Sequence, residues 1–379
     1  MQSERIHIGF FGRCNSGKSS LINALTGQSV SIVSDIAGTT TDTVSKAMEI
    51  PGAGAVTLLD TPGLDDTSAL GDLRVAAAWK ALDKTDIAIV LYKDQKDRAL
   101  EDLLCEELVR RNITVIKVLA ACDRTAKDND AELLRISSMT GEGIEKLRQR
   151  IAECSRKDEL MLTAGLCQSG DTVLLVMPQD SQAPKGRLIQ PQVQTIRELL
   201  DRGCIPVCCT PDKMETALKA LGEDPRLIIT DSQVFKTVWE MKPAGSQITS
   251  FSILFARYKG DITEFVKGAK AIESLTGSSR VLIAEACTHV PQHEDIGRVK
   301  LPALLRKKAG QKLHIEIVSG ADFPDELEGY DLIIHCGACM FNRRHVMSRV
   351  ALARETGIPI TNYGIALATL TGIIDKVSY

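Results

Sequence analysis

Short apolar runs alternate with amphipathic stretches along the first 155 residues of the chain. The runs have the length of strands buried on both faces, and the amphipathic stretches repeat their apolar positions at helical spacing. Buried strands separated by helices predict a parallel sheet that is covered on both sides. The predicted strands are Ile6–Phe11, Val56–Asp60, Ile87–Tyr92 and Thr114–Ala120, and the predicted helices are Ser19–Thr26, Leu73–Leu82, Leu100–Arg110 and Gly143–Ala152.

The alternation of strands and helices resumes after a polar stretch at 156–165 and enters a third set of units near residue 253. We therefore predict an α/β protein with three α/β domains and mostly parallel sheets, at 1–157, 166–252 and 253–379. The middle region carries no phosphate loop, acid pair or ligand cluster, which favours a scaffold or dimerisation role. The strands predicted after residue 165 are Thr172–Met177, Ile205–Thr210, Leu227–Thr230, Arg280–Ala284, His314–Val318, Asp331–Ile334 and Ile358–Asn362, and the helices are Val193–Asp201, Met214–Leu221, Ser232–Met241, Ile262–Leu275 and Asn342–Thr356.

Charge and hydropathy narrow the classes of protein that fit. The formal net charge is −3, and there is no basic, aromatic-rich module, so neither nucleic acid nor an anionic membrane is an expected partner. No apolar run approaches the ~20 residues of a membrane span, and the N-terminal residues do not resemble a secretory signal. We expect a cytoplasmic protein whose eleven cysteines are reduced thiols. Six of them lie in apolar patterns and are expected to be small buried hydrophobes: Cys105, Cys154, Cys167, Cys204, Cys208 and Cys209.

A nucleotide-binding loop follows the first predicted strand. The sequence from Gly12 to Ser19, Gly-Arg-Cys-Asn-Ser-Gly-Lys-Ser, matches G-x-x-x-x-G-K-[ST] and opens a helix, which is the context that the motif requires. Backbone amides of such a loop cradle phosphates, while Lys18 reaches the β- and γ-phosphates and Ser19 binds Mg²⁺. The residues predicted to bind the phosphates or to flank them are Gly12, Asn15, Ser16, Gly17, Lys18, Ser19 and Ser20.

Two further segments fit a γ-phosphate sensor. Asp60-Thr-Pro-Gly63 ends the next apolar strand, where an aspartate reaches the Mg²⁺ shell and a glycine amide contacts the γ-phosphate. Gly38-Thr39-Thr40 lies in a polar loop, where a threonine that binds Mg²⁺ only beside a γ-phosphate acts as a switch. Thr40 is the favoured ligand and Thr39 the alternative. Lys18, Thr40 and Gly63 are therefore the predicted catalytic residues.

Together these motifs resemble the GTPases of the TrmE–Era–septin group over about the first 155 residues. The resemblance implies GTP/GDP and Mg²⁺ as ligands, and an activating K⁺ held by Asn15. Leu64 stands where Ras-like enzymes carry a catalytic glutamine, and because leucine cannot orient water, we expect slow hydrolysis that K⁺ accelerates.

The guanine-reading segment departs from that group. The group's Asn-Lys-x-Asp pattern corresponds here to Ala120-Ala121-Cys122-Asp123, so Asp123 remains to accept from the guanine ring while the asparagine and lysine are both alanine. Each loss is expected to cost about 1–3 kcal/mol of binding. Ser137-Ser138 begins a segment that resembles the group's last base-contacting loop, which keeps guanine as the expected base.

A second cluster of chemistry-bearing residues lies near the C-terminus. Cys287-Thr-His289 is separated by 45 residues from His335-Cys336-Gly-Ala-Cys339, and Cys287 and Cys336 each follow a predicted strand. Carboxyl ends of parallel strands share one sheet edge, so the two segments are expected to converge. The residues alone leave four interpretations open: a 4Fe-4S cluster, a zinc site, a redox dithiol at Cys336 and Cys339, or simple packing of thiols.

The whole pattern resembles the FeFe-hydrogenase maturation GTPases: Cys-x-His, a long spacer and His-Cys-x-x-Cys behind a GTPase domain and a middle α/β domain. The resemblance implies that Cys287, Cys336 and Cys339 hold a 4Fe-4S cluster. His289 and His335 are then labile ligands or orienting residues. It also implies a homodimeric scaffold that takes a diiron precursor from radical-SAM hydrogenase maturases to apo FeFe-hydrogenase. The alternatives are a zinc-stabilised regulatory GTPase and a TrmE-like GTPase linked to RNA modification.

Overall fold

The protein folds into two compact units, Met1–Glu159 and Leu160–Tyr379. The structure is a computed structural model. The structure describes residues 5–27, 44–65, 71–93, 97–120, 132–155, 160–179, 185–285, 296–320, 322–324, 326–338 and 341–379, without the side chains of Val44 and Arg74. No helix in these ranges is long and apolar enough to cross a membrane.

The first unit contains a six-stranded sheet of order β2-β3-β1-β4-β5-β6, parallel except for β2. Helices lie on both faces, as the apolar strands predicted. The strands are β1 (Ile6–Gly12), β2 (Val44–Ile50), β3 (Gly54–Asp60), β4 (Ile87–Tyr92), β5 (Thr114–Leu119) and β6 (Leu134–Arg135), and the helices are α1 (Lys18–Thr26), α2 (Gly71–Leu82), α3 (Ala99–Arg110) and α4 (Ile144–Ser155).

Side chains on opposite faces of the central strands pack into two separate hydrophobic cores. Ile8 and Phe10 of β1 pack with residues of α1 and α4, whereas Phe11 packs with residues of α2 and α3. All six residues of β4 are buried, as expected of a central parallel strand. The antiparallel strand β2 was absent from the sequence prediction, because its polar and charged residues are those of an exposed sheet edge.

The second unit contains two four-stranded sheets, both entirely parallel. The first has the order β10-β9-β7-β8, and the helix after β10 runs across the boundary predicted between residues 252 and 253. Its elements are β7 (Thr172–Val176), α5 (Gln190–Asp201), β8 (Ile205–Cys209), α6 (Met214–Leu221), β9 (Leu227–Thr230), α7 (Phe235–Met241), β10 (Gln247–Ser250) and α8 (Phe251–Lys259).

The last sheet has the order β12-β11-β13-β14 and a core built from its strands and from α9, α10, α11 and α12. The helices α10 and α12 were missed, as was β10 in the preceding sheet. The elements are α9 (Ile262–Ala269), β11 (Arg280–Glu285), α10 (Leu301–Ala309), β12 (His314–Ser319), β13 (Leu332–His335), α11 (Arg343–Glu355), β14 (Ile360–Asn362) and α12 (Tyr363–Leu370). The architecture confirms a mixed α/β fold with mostly parallel sheets.

The six scattered cysteines differ in how far they are buried. Cys105, Cys167 and Cys204 are buried, as predicted, and Cys154 and Cys209 are half-buried. The prediction is wrong for Cys208, which is exposed. Its strand β8 lies at the edge of the sheet, so that one side of the strand faces solvent.

Candidate functional site

The phosphate loop lies between β1 and α1. Gly12 is the last residue of β1, and Gly17 precedes α1 with a left-handed φ of 93°. Asn15 also has a positive φ, 58°, which asparagine tolerates better than most residues. Successive residues with such conformations turn their amides toward one side, which creates an anion-binding concavity at the start of a helix.

Lys18 is the buried cation of this loop. Its side chain is buried, and its Nζ donates to the carbonyl oxygens of Gly12 at 3.2 Å and Arg13 at 2.8 Å. Burial lowers the pKa of the Lys18 ammonium from its ordinary value, opposed by the nearby carboxylate of Asp60. The loop thus holds a pre-positioned positive charge over the place where phosphates would bind.

Ser19 and Asp60 bring two oxygen ligands together. The Ser19 hydroxyl donates to Oδ2 of Asp60 at 2.7 Å, and Asp60 is the last residue of β3. Burial raises the pKa of the Asp60 carboxyl, opposed by the Ser19 hydrogen bond and the charge of Lys18. Hydroxyl and carboxylate oxygens are the donors that Mg²⁺ prefers, so this pair offers two ligands of the right kind.

The segment after Asp60 touches the phosphate loop directly. A Cβ on Gly63 would overlap Sγ of Cys14 and lie 2.7 Å from the Cys14 backbone nitrogen. The Leu64 amide donates to the Gly12 carbonyl at 3.3 Å, and Oδ1 of Asp65 accepts from the Cys14 amide at 2.5 Å. A side chain at position 63 would collide with Cys14, so glycine allows this segment to pack directly against the phosphate loop.

Two acidic residues that contact the phosphate loop, Asp65 and Glu101, were not predicted from the sequence. The Arg13 guanidinium donates to Glu101 at 3.0 Å, and Glu101 is a buried residue of α3. Neither Asp65 nor Glu101 belongs to a named motif, and for Glu101 the available signal was an acidic residue on the apolar face of a predicted helix. The Arg13–Glu101 pair ties the phosphate loop to α3.

Two of the segments expected to contact the guanine base are partly described: the end of the first, at Ala120, and the segment that begins at Ser137. Ala120 donates its amide to the Tyr92 carbonyl at 3.1 Å, and its Cβ is 4.0 Å from where a Cβ on Gly17 would stand. Ser137 is fully buried, and its Oγ accepts from the Thr140 amide at 3.2 Å. Ser138 is half-buried. Thr40 and Asp123 lie outside the described residues.

The third sheet brings the ends of β11 and β13 together. The two strands are parallel neighbours with Ala284 opposite His335, and the Cys336 amide continues the ladder by donating to the Ala284 carbonyl at 2.9 Å. The Cys336 thiol accepts from the Ala338 amide at 3.4 Å, within a tight turn where Ala338 has a φ of 49°. Cys287, His289 and Cys339 lie outside the described residues.

His335 is enclosed by two hydrogen bonds. It is fully buried, with Nε2 at 2.9 Å from the Arg349 guanidinium and Nδ1 at 2.8 Å from the Cys336 carbonyl. A guanidinium only donates, so Nε2 accepts and Nδ1 carries the proton. Burial and the charge of Arg349 lower the pKa of His335 to about 3. In this arrangement both ring nitrogens are engaged, which favours an orienting role over metal ligation.

Glu285 is a buried carboxylate that sequence reasoning missed. It ends β11, and its Oε2 accepts from the Arg298 guanidinium at 2.9 Å and from the Ser319 hydroxyl at 3.1 Å. Arg298 and Glu285 flank, in sequence, the stretch that contains Cys287 and His289. Within the described ranges, no group of three or more His, Cys, Asp or Glu side chains is arranged to hold a metal ion.

Models of known families match three consecutive parts of the chain. Residues 7–121 match the 50S ribosome-binding GTPase model, residues 162–260 the hydrogen maturase F dimerization domain, and residues 263–378 the hydrogen maturase F tetramerization domain. The last two matches together cover more than half of the chain. The chain belongs to the hydrogen maturase F (HydF) family. In this HydF-family chain, the first domain matches a GTPase model, and the two regions that follow match models of a dimerization and a tetramerization domain.

Curated relatives resemble the GTPase part of this HydF-family chain. The tRNA modification GTPase MnmE of Chromobacterium violaceum is 32% identical over 157 residues, which are 40% of this chain and 35% of the relative. MnmE of Xanthomonas campestris pv. campestris (strain B100) is 34% identical over 158 residues, 40% of this chain and 34% of the relative. The matches therefore span about a third of these relatives' length.

Two solved structures illustrate a more distant likeness to the chain, with low TM-scores. A point variant of Aquifex aeolicus Era bound to GDP.AlF4⁻ is 19% identical with a TM-score of 0.35, covering 57% of this chain and 98% of Era. The cytosolic domain of the T. maritima iron transporter FeoB in apo form is 23% identical with a TM-score of 0.33, covering 41% of this chain and 66% of that one.

Proposed function

We propose that this protein is a GTPase and iron–sulfur scaffold that receives a diiron precursor and delivers it to apo FeFe-hydrogenase. The observation that carries the proposal is the pairing of β11 with β13 in a HydF-family chain. Cys336 directly follows one strand, and Cys287 is two residues beyond the other. The two cysteines therefore follow neighbouring strands in the sequence.

The residues at this edge fit a 4Fe-4S cluster. Thiolates are the ligands that such clusters use, and the sequence supplies Cys287, Cys336 and Cys339. The amide of Ala338, aimed at the Cys336 sulfur, is the type of hydrogen bond that stabilises a thiolate ligand. When bound, a cluster held by three thiolates supplies one iron with an exchangeable position. His289 or another group of that segment would be a ligand for that position, while His335 would orient Cys336.

The diiron unit is the cargo of this site. We propose that radical-SAM hydrogenase maturases supply it, that a homodimer or higher oligomer holds it, and that apo FeFe-hydrogenase takes it. GTP hydrolysis then serves as a timing or release signal, with Lys18, Thr40 and Gly63 reading the γ-phosphate. Similarity to the tRNA modification GTPases is limited to the GTPase part, so RNA modification is not favoured.

Potassium is the proposed activator of hydrolysis, through the side-chain amide of Asn15. We expect hydrolysis to be faster in K⁺ than in Na⁺, and we expect an Asn15→Gly variant to lose that difference. Glycine adopts the observed φ of 58° without strain, so the substitution removes the amide but keeps the backbone. Hydrolysis rates measured in matched KCl and NaCl check this. Equal stimulation by K⁺ in the variant and the wild type would contradict the role of Asn15.

Restoring the guanine-reading pair is expected to tighten nucleotide binding. In an Ala120→Asn, Ala121→Lys variant, the asparagine would regain hydrogen bonds beside Gly17 of the phosphate loop, which Ala120 already approaches. We expect GTP affinity to rise about tenfold or more, since each buried hydrogen bond contributes about 1 kcal/mol. Titration with a fluorescent GTP analogue measures the dissociation constant, and an unchanged value would show that guanine is read elsewhere.

Anaerobic reconstitution with iron and sulfide tests the proposed cluster. We expect the wild-type chain to become brown and, after reduction, to give the electron paramagnetic resonance signal of a 4Fe-4S cluster. Metal analysis of the protein as purified is the matched control. A colourless protein that retains zinc and takes up no iron would instead support the zinc-stabilised regulatory GTPase.

A further inference from the structure

Two thiols of the second unit lie side by side just before the paired strands β7 and β8. The sulfur atoms of Cys167 and Cys204 are 3.8 Å apart, with the Cys204 thiol donating to the Cys167 sulfur. Both residues belong to the core around β7 and keep only 7% and 5% of their surface exposed, so only a small reagent reaches them. Two thiols at this distance form a pair that oxidation can join.

The backbone already holds the two segments together. Gly170 donates its amide to the Gly203 carbonyl at 2.9 Å, directly before the pairing of β7 with β8 begins. The Cys204 thiol also lies 3.3 Å from the Gln168 carbonyl, to which it donates. A disulfide requires its sulfurs to close to about 2.05 Å, which is a short movement between segments that are fixed in this way.

Arg202 makes the two thiols chemically different. Its guanidinium donates to the Cys167 sulfur at 3.6 Å and to the Cys167 carbonyl at 2.6 Å. The carboxylate of Glu198 is 4.0 Å from that guanidinium, and the charge of Asp171 acts on Cys204 in the opposite sense to Arg202. Burial and the hydrogen bond with Cys167 raise the pKa of Cys204 to about 11. The Cys167 sulfur, which accepts from both neighbours, is therefore the nucleophile of the pair.

We propose that Cys167 and Cys204 are a redox modification site, at which hydrogen peroxide joins them in a reversible disulfide. The adjacent Arg202 guanidinium repels a metal cation, so the pair is suited to oxidation and not to metal binding. The site lies within residues 162–260, which match the dimerization domain, and it is independent of the proposed cluster.

The reaction has two steps. The Cys167 sulfur attacks the peroxide: an S–O bond forms, the O–O bond breaks, and the leaving hydroxide takes up the thiol proton as water. The Cys204 sulfur then attacks the resulting sulfenic acid: the S–S bond forms, the S–O bond breaks, and the oxygen leaves as water with the proton of Cys204. The two thiols lose two electrons, the peroxide gains two, and a dithiol reductant reverses the link.

The disulfide would fix the first segment of the second unit to α5 and to the start of β8. That segment is already held on α5, because Glu198 accepts from the Leu162 amide and from the Thr163 amide at 2.8 Å. A covalent link adds to these contacts and closes a loop through β7 and α5. Closing a loop stabilises a fold mainly by restricting the unfolded chain.

Mapping the bond in oxidised full-length protein tests the inference. Reduced protein is treated with hydrogen peroxide, the remaining thiols are blocked with N-ethylmaleimide in denaturant, and tryptic peptides are analysed by mass spectrometry without reduction. We expect peptide 158–185, which carries Cys167, to be linked to peptide 203–213, which carries Cys204, and to separate on addition of dithiothreitol. Finding both peptides blocked and unlinked, at a peroxide dose that oxidises other thiols of the chain, would overturn the inference.

Variants identify the partner, since peptide 203–213 also carries Cys208 and Cys209. Cys208→Ser is the matched control, because Cys208 is exposed on the same short strand, and we expect it to keep the link. We expect Cys204→Ser to lose the link and to accumulate the sulfenic acid of Cys167, which dimedone traps. A link that survives in Cys204→Ser, or disappears in Cys208→Ser, would contradict the assignment. If circular dichroism shows Cys204→Ser to be unfolded, fragmentation of the linked wild-type peptides identifies the bonded cysteine.

Oxidation is also expected to raise the melting temperature of the second unit by about 4 to 16 °C, the usual range for a disulfide in a domain of this size. Differential scanning calorimetry of the peroxide-treated and the reduced protein measures the shift. The folded Cys204→Ser variant should show no increase. An unchanged melting temperature in fully linked wild-type protein would contradict the stabilising role.

Discussion

A Lys18→Ala variant is expected to hydrolyse GTP about a hundredfold to a thousandfold more slowly than the wild type, or not measurably. The Lys18 ammonium is buried and already fixed by the Gly12 and Arg13 carbonyls, so it reaches bound phosphates without reorganisation. Alanine removes the charge and the hydrogen bonds of the ammonium to those two carbonyls. Phosphate release under saturating GTP, Mg²⁺ and K⁺ measures the effect.

The control for this substitution is Lys80→Ala. Lys80 lies on α2 of the same unit and is exposed, so its removal changes the net charge equally without touching the phosphate loop. We expect wild-type hydrolysis from the control. A Lys18→Ala rate within a few-fold of the control would mean that hydrolysis in the preparation does not come from this site.

A Cys336→Ala variant is expected to lose most of the iron that the wild type binds on anaerobic reconstitution. Removal of one thiolate from a set of three leaves two protein ligands, and Cys336 is the one that β13 holds in register with β11. Iron and sulfide analysis, with the electron paramagnetic resonance signal of the reduced protein, measures the loss.

The control here is Cys208→Ala. Cys208 is an exposed thiol on the edge strand β8, which belongs to a different sheet from Cys336. It should leave the iron content unchanged. If Cys336→Ala retained a wild-type signal, the ligand set inferred from the sequence would be wrong, whichever other cysteines bind iron.

The elements that sequence reasoning predicted best are those fixed by local rules. The buried run Ile87–Tyr92 forms a central strand at the predicted residues, because a strand surrounded by other elements must be apolar throughout. The phosphate loop was equally predictable, since its glycines and lysine have positions set by backbone geometry. By contrast, Val44–Ile50 mixes apolar with polar and charged residues, and it pairs with β3 as a hairpin across the short connection at 51–53, a signal that was not used in the sequence prediction.

In the candidate sites, too, the residues of local motifs were predicted and their tertiary partners were not. The motif residues were identified from their spacing, but the side chains that hold them were not. Asp65 and Glu101 support the phosphate loop, and Glu285 and Arg349 support the end of the third sheet. Each acts through a tertiary contact, and most of them span many residues in sequence, so no local pattern could reveal it. Sequence reasoning left His335 as a ligand or an orienting residue, whereas its enclosed ring favours the second.

Transfer of the diiron cargo is the most direct test of the central claim. Reconstituted protein, loaded with the diiron precursor by radical-SAM maturases and then purified, is mixed with apo FeFe-hydrogenase, and hydrogen evolution is measured. The account predicts hydrogenase activity that depends on the loaded protein and is lost when the scaffold carries Cys336→Ala. Equal activation by the wild type and the Cys336→Ala scaffold, or none by a fully loaded wild type, would contradict it.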